Sequence, residues 1–339
     1  MPAAPLSPDE VPRPDAVGRG EASRADAASA GKTPRPDAAV EVAAPAKINL
    51  SLLVGPLRSD GFHEVFTAMV PVTLADLVTA RPAPAGAGLT VECAVAPGED
   101  NLAARAVREL ERRLEHTFDV RLSITKRVPA AAGLGGGSSD AAAALTAVER
   151  LFALDLPARL CYEVAGAVGS DVPFFLWPGP QLAMGRGTVL KDIVLPEPLH
   201  VVIVLPGLAL PTADVYRWFG ERPESEPRIF VGRTQRLVAG LAAARCPRDL
   251  AAFIENDLEA PVVARHPLIA GLTQRLRGAG ALAAAMSGSG SSVFGLFASA
   301  ARAQRACAAL APTAAVYVTD LQPGDGAPAP APPGPPPAK

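Results

Sequence analysis

Residues 128–141 read Val-Pro-Ala-Ala-Ala-Gly-Leu-Gly-Gly-Gly-Ser-Ser-Asp-Ala, and this segment decides the fold. Its glycines can adopt backbone angles that are closed to other residues, and they leave space for a ligand beside the main chain. Successive backbone N–H groups can therefore turn inward around an anion. A helix that follows such a loop adds unpaired N–H groups and a partial positive charge at its first turn. The segment therefore predicts a phosphate-binding loop.

The residues on either side favour a strand before this glycine loop and a helix after it. Apolar and polar residues alternate over 120–124, which is the period of a half-buried strand. Four consecutive alanines at 141–144 favour a helix, with Leu145, Val148 and Phe152 on one of its faces. The alternative is a tight turn without a ligand. Consecutive glycines that open a helix are costly unless something must approach closely, so the ligand-binding interpretation is favoured.

Other common site types do not fit the sequence. A Walker loop carries lysine before its last Ser or Thr, whereas Gly137 precedes Ser138 here. A dinucleotide-binding loop needs glycine or alanine where Ser138 stands and an acidic residue that ends a second strand, but the region near Asp155 is predicted to be a loop. The sequence has no Gly-x-Ser-x-Gly hydrolase elbow. Its four histidines lack the spacing of metal ligands, so we expect no metal held by the protein alone: His63, His116, His200 and His266.

Composition limits the class of protein. The chain has 339 residues, which is room for about two domains. Its formal net charge of −2 argues against a nucleic-acid or membrane-surface partner, because both require a basic face. The four cysteines are far apart and are expected to be reduced, which is typical of a cytoplasmic protein. We expect a small-molecule substrate and a monomer or weak homodimer.

The expected domain organisation follows from changes in composition. Residues 1–40 are rich in Ala, Pro, Asp and Arg and are expected to form a disordered leader. Residues 321–339 are expected to form a Pro-rich disordered tail. The ordered chain is expected to divide near Pro196 and Pro198 into an N-terminal domain, 41–197, and a C-terminal domain, 198–320.

Hydrophobic periodicity predicts the main elements of both domains. Strands are predicted over 46–53, 70–78 and 199–205, and a strand pair over 283–286 and 293–297. Helices are predicted over 101–115, 213–219, 233–244, 250–254 and 269–277.

Two charged residues stand out as candidates for chemistry. Lys47 shares one face of a predicted strand with Asn49 and Ser51, and a solvent-exposed face is the alternative interpretation. Asp171 lies between Gly169-Ser170 and a pair of phenylalanines, where it is either a helix N-cap or a carboxylate that acts as a general base. A nearby lysine would favour its ionised form, and apolar neighbours would favour the neutral form.

Two further segments are candidates for substrate binding. Residues 286–292, Met-Ser-Gly-Ser-Gly-Ser-Ser, form a second Gly/Ser loop that either binds phosphate or is only a hairpin turn. After the predicted turn at Asp60-Gly61, Phe62 could stack on a flat ring and His63 could hydrogen-bond to its edge. The alternative for His63 is an ordinary surface histidine.

These motifs together resemble those of one kinase family. The strand at 45–50, Pro-Ala-Lys-Ile-Asn-Leu, the glycine loop and the loop at 286–290 resemble the three motifs of the galactokinase, homoserine kinase, mevalonate kinase and phosphomevalonate kinase superfamily, the GHMP kinases. The segments at 60–63, 169–173 and 256–259 are similar to those of the members that phosphorylate a cytidine diphosphate-linked methylerythritol. The resemblance covers residues 44–297, which is most of the expected ordered chain.

The resemblance implies an α+β fold with two lobes and an active site in the cleft between them. It implies that ATP and Mg²⁺ are used, with Lys47 and Asp171 as the catalytic pair and Ser139 as a protein ligand of the ion. The ATP phosphates would lie against the following residues: Pro129, Ala130, Ala131, Ala132, Gly133, Leu134, Gly135, Gly136, Gly137, Ser138 and Ser139. The acceptor would contact these residues: Asn49, Phe62, His63, Ser287, Gly288, Ser289 and Gly290.

The expected activity is ATP-dependent phosphorylation of the 2-hydroxyl of the cytidine diphosphate-linked methylerythritol, in the non-mevalonate route to isoprenoid precursors. Another small-molecule kinase of the family, for homoserine, mevalonate or a sugar, is the first alternative, and a nucleotide-binding regulator without catalysis is the second. The sequence departs from the family pattern at Phe62, where most members carry Tyr, and at Thr188, where Glu is expected. It also has Ala131 and Ala132 where some members have glycine.

Overall fold

The computed structural model describes residues 32–96, 98–221, 227–311 and 315–320. The predicted tail, 321–339, and residues 1–31 of the predicted leader lie outside the described residues. Residues 32–39 run ahead of the first strand, and the Lys32 N–H donates to the Phe152 carbonyl at 2.8 Å. Ala38 and Val40 pack against the core. Residues 32–40, which the sequence analysis assigned to the leader, therefore lie against the folded chain.

The N-terminal lobe is built on a seven-stranded sheet. Its centre is a long antiparallel pair, β1 (Val40–Leu57) and β2 (His63–Pro82). The remaining five strands extend this pair: β3 (Leu89–Cys93), β4 (Val120–Thr125), β5 (Gln181–Gly185), β6 (Val189–Asp192) and β8 (Glu255–Asn256). Strand β2 is long enough to pair with β5 near its start and with β4 near its end.

Three helices cover one end of this sheet: α1 (Leu102–Leu114), α2 (Gly136–Leu151) and α3 (Ala158–Val168). The Asn101 side chain caps α1 by accepting a hydrogen bond from the Ala103 N–H at 2.8 Å. The alanines at 141–144 are buried, and their small side chains let α2 pack closely on β1 and β2. This packing brings the first turn of α2 next to the middle of β1.

The C-terminal lobe contains a four-stranded antiparallel sheet of order β11-β7-β10-β9. Its strands are β7 (His200–Leu205), β9 (Ala283–Met286), β10 (Val293–Phe297) and β11 (Ala315–Asp320). Its helices are α4 (Thr212–Gly220), α5 (Pro227–Ala243), α6 (Pro247–Leu250), α7 (Glu259–Arg265), α8 (Leu268–Gly278) and α9 (Ala300–Leu310). Residues 201–204 are fully buried, which explains their unbroken apolar sequence. No helix within the described ranges is long and apolar enough to cross a membrane.

The two lobes share one hydrophobic core. Ile48 and Leu50 of β1 pack in the same cluster as Ile203 of β7 and Phe294 of β10. Lys47, on the other face of β1, lies between the glycine loop and the C-terminal lobe, because a Cβ on Gly135 or on Gly288 would lie 3.0 or 3.2 Å from its side chain.

Most predicted elements are confirmed, and one is wrong. The predicted strands 46–53 and 70–78 are the interiors of β1 and β2, and 283–286 and 293–297 match β9 and β10 at both ends. The predicted helix 250–254 is not formed, because α6 ends at Leu250 and a short 3₁₀ turn, Ala251–Phe253, leads into β8. The Ser51 hydroxyl donates to the Phe253 carbonyl and draws this segment to the edge of β1. Tertiary contact therefore overrides a helix-like spacing of apolar residues.

Candidate active site

The glycine loop connects β4 to α2 in a conformation that requires glycine. Gly133 has φ +75° and Gly135, the N-cap of α2, has φ +71°, both in the left-handed region. Ala131 also lies there, with φ +53°. A left-handed alanine costs about 1–2 kcal/mol. The alanine at this position therefore adds strain to the loop, whereas Ala132 is not in the left-handed region.

The second Gly/Ser loop, residues 287–292, joins β9 to β10 and packs directly on the glycine loop. A Cβ on Gly133 would lie 2.6 Å from the Ser287 carbonyl oxygen and 2.7 Å from that of Gly290. The Ser292 N–H donates to the Ala132 carbonyl at 3.2 Å. The loop is thus a hairpin turn, as the alternative interpretation held, and it also forms a wall of the cleft.

Lys47 is buried, with 4% of the residue exposed, so the solvent-exposed interpretation of this strand face is wrong. The ammonium donates to Asn49 Oδ1 at 2.7 Å and lies 3.7 Å from Asp171 Oδ2. The Lys47 N–H also donates to the Leu134 carbonyl at 2.9 Å, which ties β1 to the glycine loop. Gly288 covers the ammonium from the C-terminal lobe, because a Cβ there would lie 3.2 Å from Lys47 Nζ.

Asn49 is held in one orientation by its neighbours. Its side-chain amide donates to Thr67 Oγ1 at 2.8 Å, and the Thr67 hydroxyl in turn donates to the Ser51 carbonyl at 2.6 Å. Asn49 Oδ1 is therefore directed at Lys47. The Asn49 N–H donates to Ser287 Oγ at 3.3 Å. Ser287 therefore contacts the backbone of β1 and helps to hold Asn49 in place.

Asp171 is not an N-cap: Val172 occupies that position in the 3₁₀ turn Pro173–Leu176, and the Asp171 carboxylate faces Lys47 instead. Its side chain is 40% exposed, so it can be reached from the cleft. Burial and, to a smaller extent, the negative charge of Asp171 raise the pKa of the Tyr216 phenol. Tyr216, on α4, is thus a close neighbour of the carboxylate, and the sequence analysis did not identify it.

Two cavities meet at the glycine loop. The larger, about 480 Å³, is lined by residues 129–138 together with Asn101, Lys126 and Asp140. The smaller, about 260 Å³, is lined on one side by Lys47, Asn49 and Asp171 and on the other by these residues: Arg186, Tyr216, Gly288 and Ser289. Gly133, Gly135 and Thr212 line both. A long anion in the larger cavity would therefore end beside the Lys47–Asp171 pair.

Some of the predicted site residues do not line these cavities. Ser139 is buried below the loop surface, and its hydroxyl has no hydrogen-bond partner among the described residues. Ser287 and Gly290 support the cleft rather than line it. Phe62 and His63 lie beside the smaller cavity and are not among the residues that line it.

Phe62 and His63 stand with other aromatic rings at the rim of the smaller cavity. Phe62 is 49% exposed, and the Arg186 guanidinium lies 3.9 Å above its ring centroid. His63 Nδ1 donates to the Gly55 carbonyl at 2.9 Å, and its ring stacks on Tyr216 with centroids 5.9 Å apart. Phe219 packs edge-on against the same ring. His63 is thus partly buried and oriented, unlike an ordinary surface histidine.

A buried charge cluster lies under the start of α2. The Lys126 ammonium donates to Asp140 at 2.6 Å and to Asp76 at 2.5 Å. Asp76 also accepts the N–H groups of Arg127 and Val128, which begin the glycine loop. Burial, and then the charge of Asp76, raise the pKa of Asp140 to about 7 against the opposing effect of Lys126. No local sequence signal marks this cluster, because its members come from three separate segments.

The segment 256–259 supports the second loop from below. The Asn256 side-chain amide donates to the carbonyls of Met286 and Gly288 at 2.7 and 2.8 Å. The Met286 N–H donates to Glu259 Oε2 at 2.7 Å. Asp257 accepts the Val54 N–H of β1 and pairs with Arg233. This segment therefore fixes the second loop relative to β1.

A larger cavity of about 660 Å³ shares no lining residue with these two. It lies under residues 32–36, between Pro82 and Phe152. It has neither a glycine loop nor a lysine–carboxylate pair, so we assign the chemistry to the cleft.

Comparison with known proteins agrees with this geometry. The family model for the GHMP kinases N terminal domain matches residues 101–179, and that for the GHMP kinases C terminal matches residues 238–314. A protein of Anaeromyxobacter sp. (strain K), named 4-diphosphocytidyl-2-C-methyl-D-erythritol kinase, is 44% identical over 266 residues, which cover 75% of this chain and 79% of the relative. A protein of the same name from Gloeobacter violaceus is 39% identical over 80% of this chain and 90% of the relative.

Solved structures give the same result. The crystal structure of a 4-(cytidine 5'-diphospho)-2C-methyl-D-erythritol kinase matches with a TM-score of 0.70 and 35% identity, over 84% of this chain and all of that chain. A homoserine kinase from Cytophaga hutchinsonii, 19% identical over 86% of this chain and 96% of its own, has a TM-score of 0.68, which shows a shared fold. The predicted two-lobed α+β fold of the GHMP kinases is confirmed. The chain belongs to the 4-diphosphocytidyl-2-C-methyl-D-erythritol kinase family of the GHMP kinases.

Proposed function

We propose that this protein transfers the γ-phosphoryl group of ATP to the 2-hydroxyl of 4-diphosphocytidyl-2-C-methyl-D-erythritol. The products are the 2-phosphate and ADP, in the non-mevalonate route to isoprenoid precursors. The two relatives described above, 44% and 39% identical over the aligned residues, carry the name of this kinase. The observation that carries the proposal is the meeting of two cavities at Gly133 and Gly135, beside the Lys47–Asp171 pair.

Asp171 and Lys47 act on the acceptor hydroxyl. The hydroxyl O–H bond breaks as its oxygen attacks Pγ, and the proton passes to the Asp171 carboxylate. The bond from Pγ to the bridging oxygen breaks, and its electron pair leaves with ADP. Lys47, 3.7 Å from Asp171, stabilises negative charge on the attacking oxygen. Such transfers depend mostly on alignment and charge neutralisation, and the rigid Lys47–Asn49–Thr67 network provides the alignment.

The glycine loop binds the triphosphate through its backbone N–H groups and the first turn of α2. We propose that Mg²⁺ accompanies ATP and neutralises charge on its phosphates. Asp140 would fit this role, since it lines the larger cavity and its Oδ1 is buried without a hydrogen-bond partner among the described residues. The predicted ligand Ser139 Oγ has no such partner either, but it lies below the lining of the cavity. Within the described part of the chain no cluster of three or more His, Cys, Asp or Glu side chains could hold a metal ion. ATP oxygens and water would supply most of the ligands of the ion.

The rings of Phe62, His63 and Tyr216, at the rim of the smaller cavity, bind the cytosine ring. Phe62 and Tyr216 offer ring faces for stacking, and Phe62 keeps this ability without the hydroxyl of a tyrosine. The hydrogen bond from His63 Nδ1 to Gly55 leaves Nε2 of the neutral ring as an acceptor. This nitrogen can accept a hydrogen bond from the exocyclic amine of cytosine.

We also propose a cytoplasmic location and a monomer or weak homodimer, with an N-terminal domain of 41–197 and a C-terminal domain of 198–320. All four cysteines are free, as is typical of proteins in a reducing compartment.

The test is an ADP-release assay with ATP, Mg²⁺ and a panel of alcohols. We expect turnover of the cytidine diphosphate-linked methylerythritol and none with homoserine, mevalonate or galactose. The Asp171→Asn variant should lower kcat by roughly 10²–10⁴-fold with little change in ATP affinity. Asp192→Asn, an exposed carboxylate on β6, is the matched control and should behave as wild type. Equal turnover of an acceptor without cytidine, or full activity of Asp171→Asn, would contradict the proposal.

A further inference from the structure

Arg186 is displayed by a tight turn between β5 and β6. Gly185 and Gly187 flank it with φ of +69° and +90°, and the Gly187 N–H donates to the Met184 carbonyl at 3.0 Å. Because Gly185 pairs with Val65 of β2, the turn lies beside the start of that strand, where Phe62 and His63 stand. The backbone therefore places Arg186 at the rim of the smaller cavity, which we call the acceptor cavity because the proposed acceptor binds there. Arg186 is also one of the residues that line this cavity.

The Arg186 guanidinium has free hydrogen-bond donors. Its central carbon lies 3.9 Å above the Phe62 ring centroid, and a guanidinium that stacks on a ring keeps its in-plane N–H groups available. Among the described residues it makes no ion pair, whereas its neighbour Arg58 is paired with both Asp60 and Glu64. Arg186 thus makes no ion pair among the described residues, and the Asp60 carboxylate, which is near enough to feel its charge, is paired with Arg58.

Apart from Arg186, the charged side chains that line the smaller cavity are Lys47 and Asp171. Lys47 and Asp171 form a pair of opposite charges, so they offer little net attraction for an anion. The acceptor of the proposed reaction carries a diphosphate between its base and its reactive alcohol. With the base at the Phe62 rim and the alcohol at Asp171, the diphosphate must cross the space that Arg186 lines.

We propose that Arg186 binds the diphosphate of the acceptor, and that it thereby selects nucleoside diphosphate-linked alcohols over alcohols without a diphosphate. This inference rests on the proposed function. In-plane N–H groups of arginine match the oxygens of a phosphate in a bidentate way, while the guanidinium face keeps its contact with Phe62.

The experiment compares wild type with Arg186→Ala and Arg186→Lys. It measures KM for ATP and acceptor, kcat, and inhibition by CDP and by cytidine against the acceptor at saturating ATP. Arg302→Ala, an exposed arginine on α9, controls for the loss of one positive charge. We expect Arg186→Ala to raise the acceptor KM and the CDP inhibition constant about 10- to 100-fold. Cytidine inhibition and the ATP KM should stay within about twofold of wild type, and Arg186→Lys should recover part of the CDP affinity.

Three results would overturn the inference. An unchanged CDP inhibition constant would mean that Arg186 does not touch the diphosphate. An equal weakening of CDP and cytidine would mean that it only supports the Phe62 ring, and tighter cytidine binding would mean that the guanidinium occupies the place of the base. All three require wild-type turnover of the acceptor, so they are distinct from a failure of the proposed function, in which wild type itself is inactive.

Discussion

The contact between the two glycine-containing loops predicts a large effect from one methyl group. In Gly133→Ala the new Cβ would lie 2.6 and 2.7 Å from two carbonyl oxygens, those of Ser287 and Gly290. Both oxygens belong to the backbone of a loop that Asn256 holds in place, so neither can move easily. The left-handed φ of +75° adds its own penalty.

The two costs have separate magnitudes. A left-handed alanine costs about 1–2 kcal/mol relative to glycine, and forcing extra volume into a packed interior costs about 1–3 kcal/mol. We therefore expect the free energy of unfolding to fall by about 2–5 kcal/mol. If the loops part instead, the Leu134–Lys47 contact shifts by a fraction of an ångström, and misplacement of about 1 Å can lower a rate 10²-fold.

Urea unfolding and steady-state kinetics measure both effects. Gly166→Ala is the matched control: this glycine lies in α3, is exposed, and has no atom within 4 Å of a new Cβ. The control should gain roughly 0.5–1 kcal/mol, because alanine favours a helix over glycine. A Gly133→Ala protein with wild-type stability and wild-type kcat would refute the loop contact.

Three further changes follow from the same structure. Asn256→Ala removes the donors to the Met286 and Gly288 carbonyls; we expect a loss of about 1–3 kcal/mol in urea unfolding and a lower kcat, and unchanged values would contradict the supporting role. Burial first, and then the charge of Asp76, raise the pKa of Asp140 from 3.8 to about 7. Between about pH 4 and 7 the Asp140 carboxyl therefore keeps its proton in the folded state and loses it in the unfolded state. The free energy of unfolding should therefore fall as pH rises through that window, on the order of a few kcal/mol, and Asp140→Asn should flatten this dependence. Tyr216→Leu should raise the acceptor KM while Tyr216→Phe should not, since the ring face rather than the phenol carries the contact with the base.

Local patterns predicted the elements that form the site. Alternation over 120–124 and the alanines after the glycine loop identified β4 and α2. Gly133 and Gly135 of the loop adopt positive φ, whereas Gly136 and Gly137 form the first turn of α2. These features depend on neighbours in the sequence or on a motif that is complete in itself. The contact between Lys47 and Asp171, 3.7 Å apart, joins distant segments and was expected only from the resemblance to the GHMP kinases.

Long-range contacts account for what the sequence analysis missed. Lys47 is buried because the loop at 287–290, far along the chain, covers it. The Asp76–Lys126–Asp140 cluster joins residues 14 to 64 positions apart, and no periodicity marks such a set. The predicted helix at 250–254 is wrong because the adjacent residues Glu255 and Asn256 pair with β1, and Ala251–Phe253 form only a 3₁₀ turn ahead of that strand.

The most direct test of the account is phosphorus NMR of the product made by the wild-type enzyme from ATP and the cytidine diphosphate-linked methylerythritol. A single new phosphomonoester signal, assigned by carbon coupling to the 2-position, with the acceptor diphosphate intact, is the predicted result. Phosphate on a different hydroxyl, a cleaved diphosphate, or no new signal while ATP is consumed would contradict it.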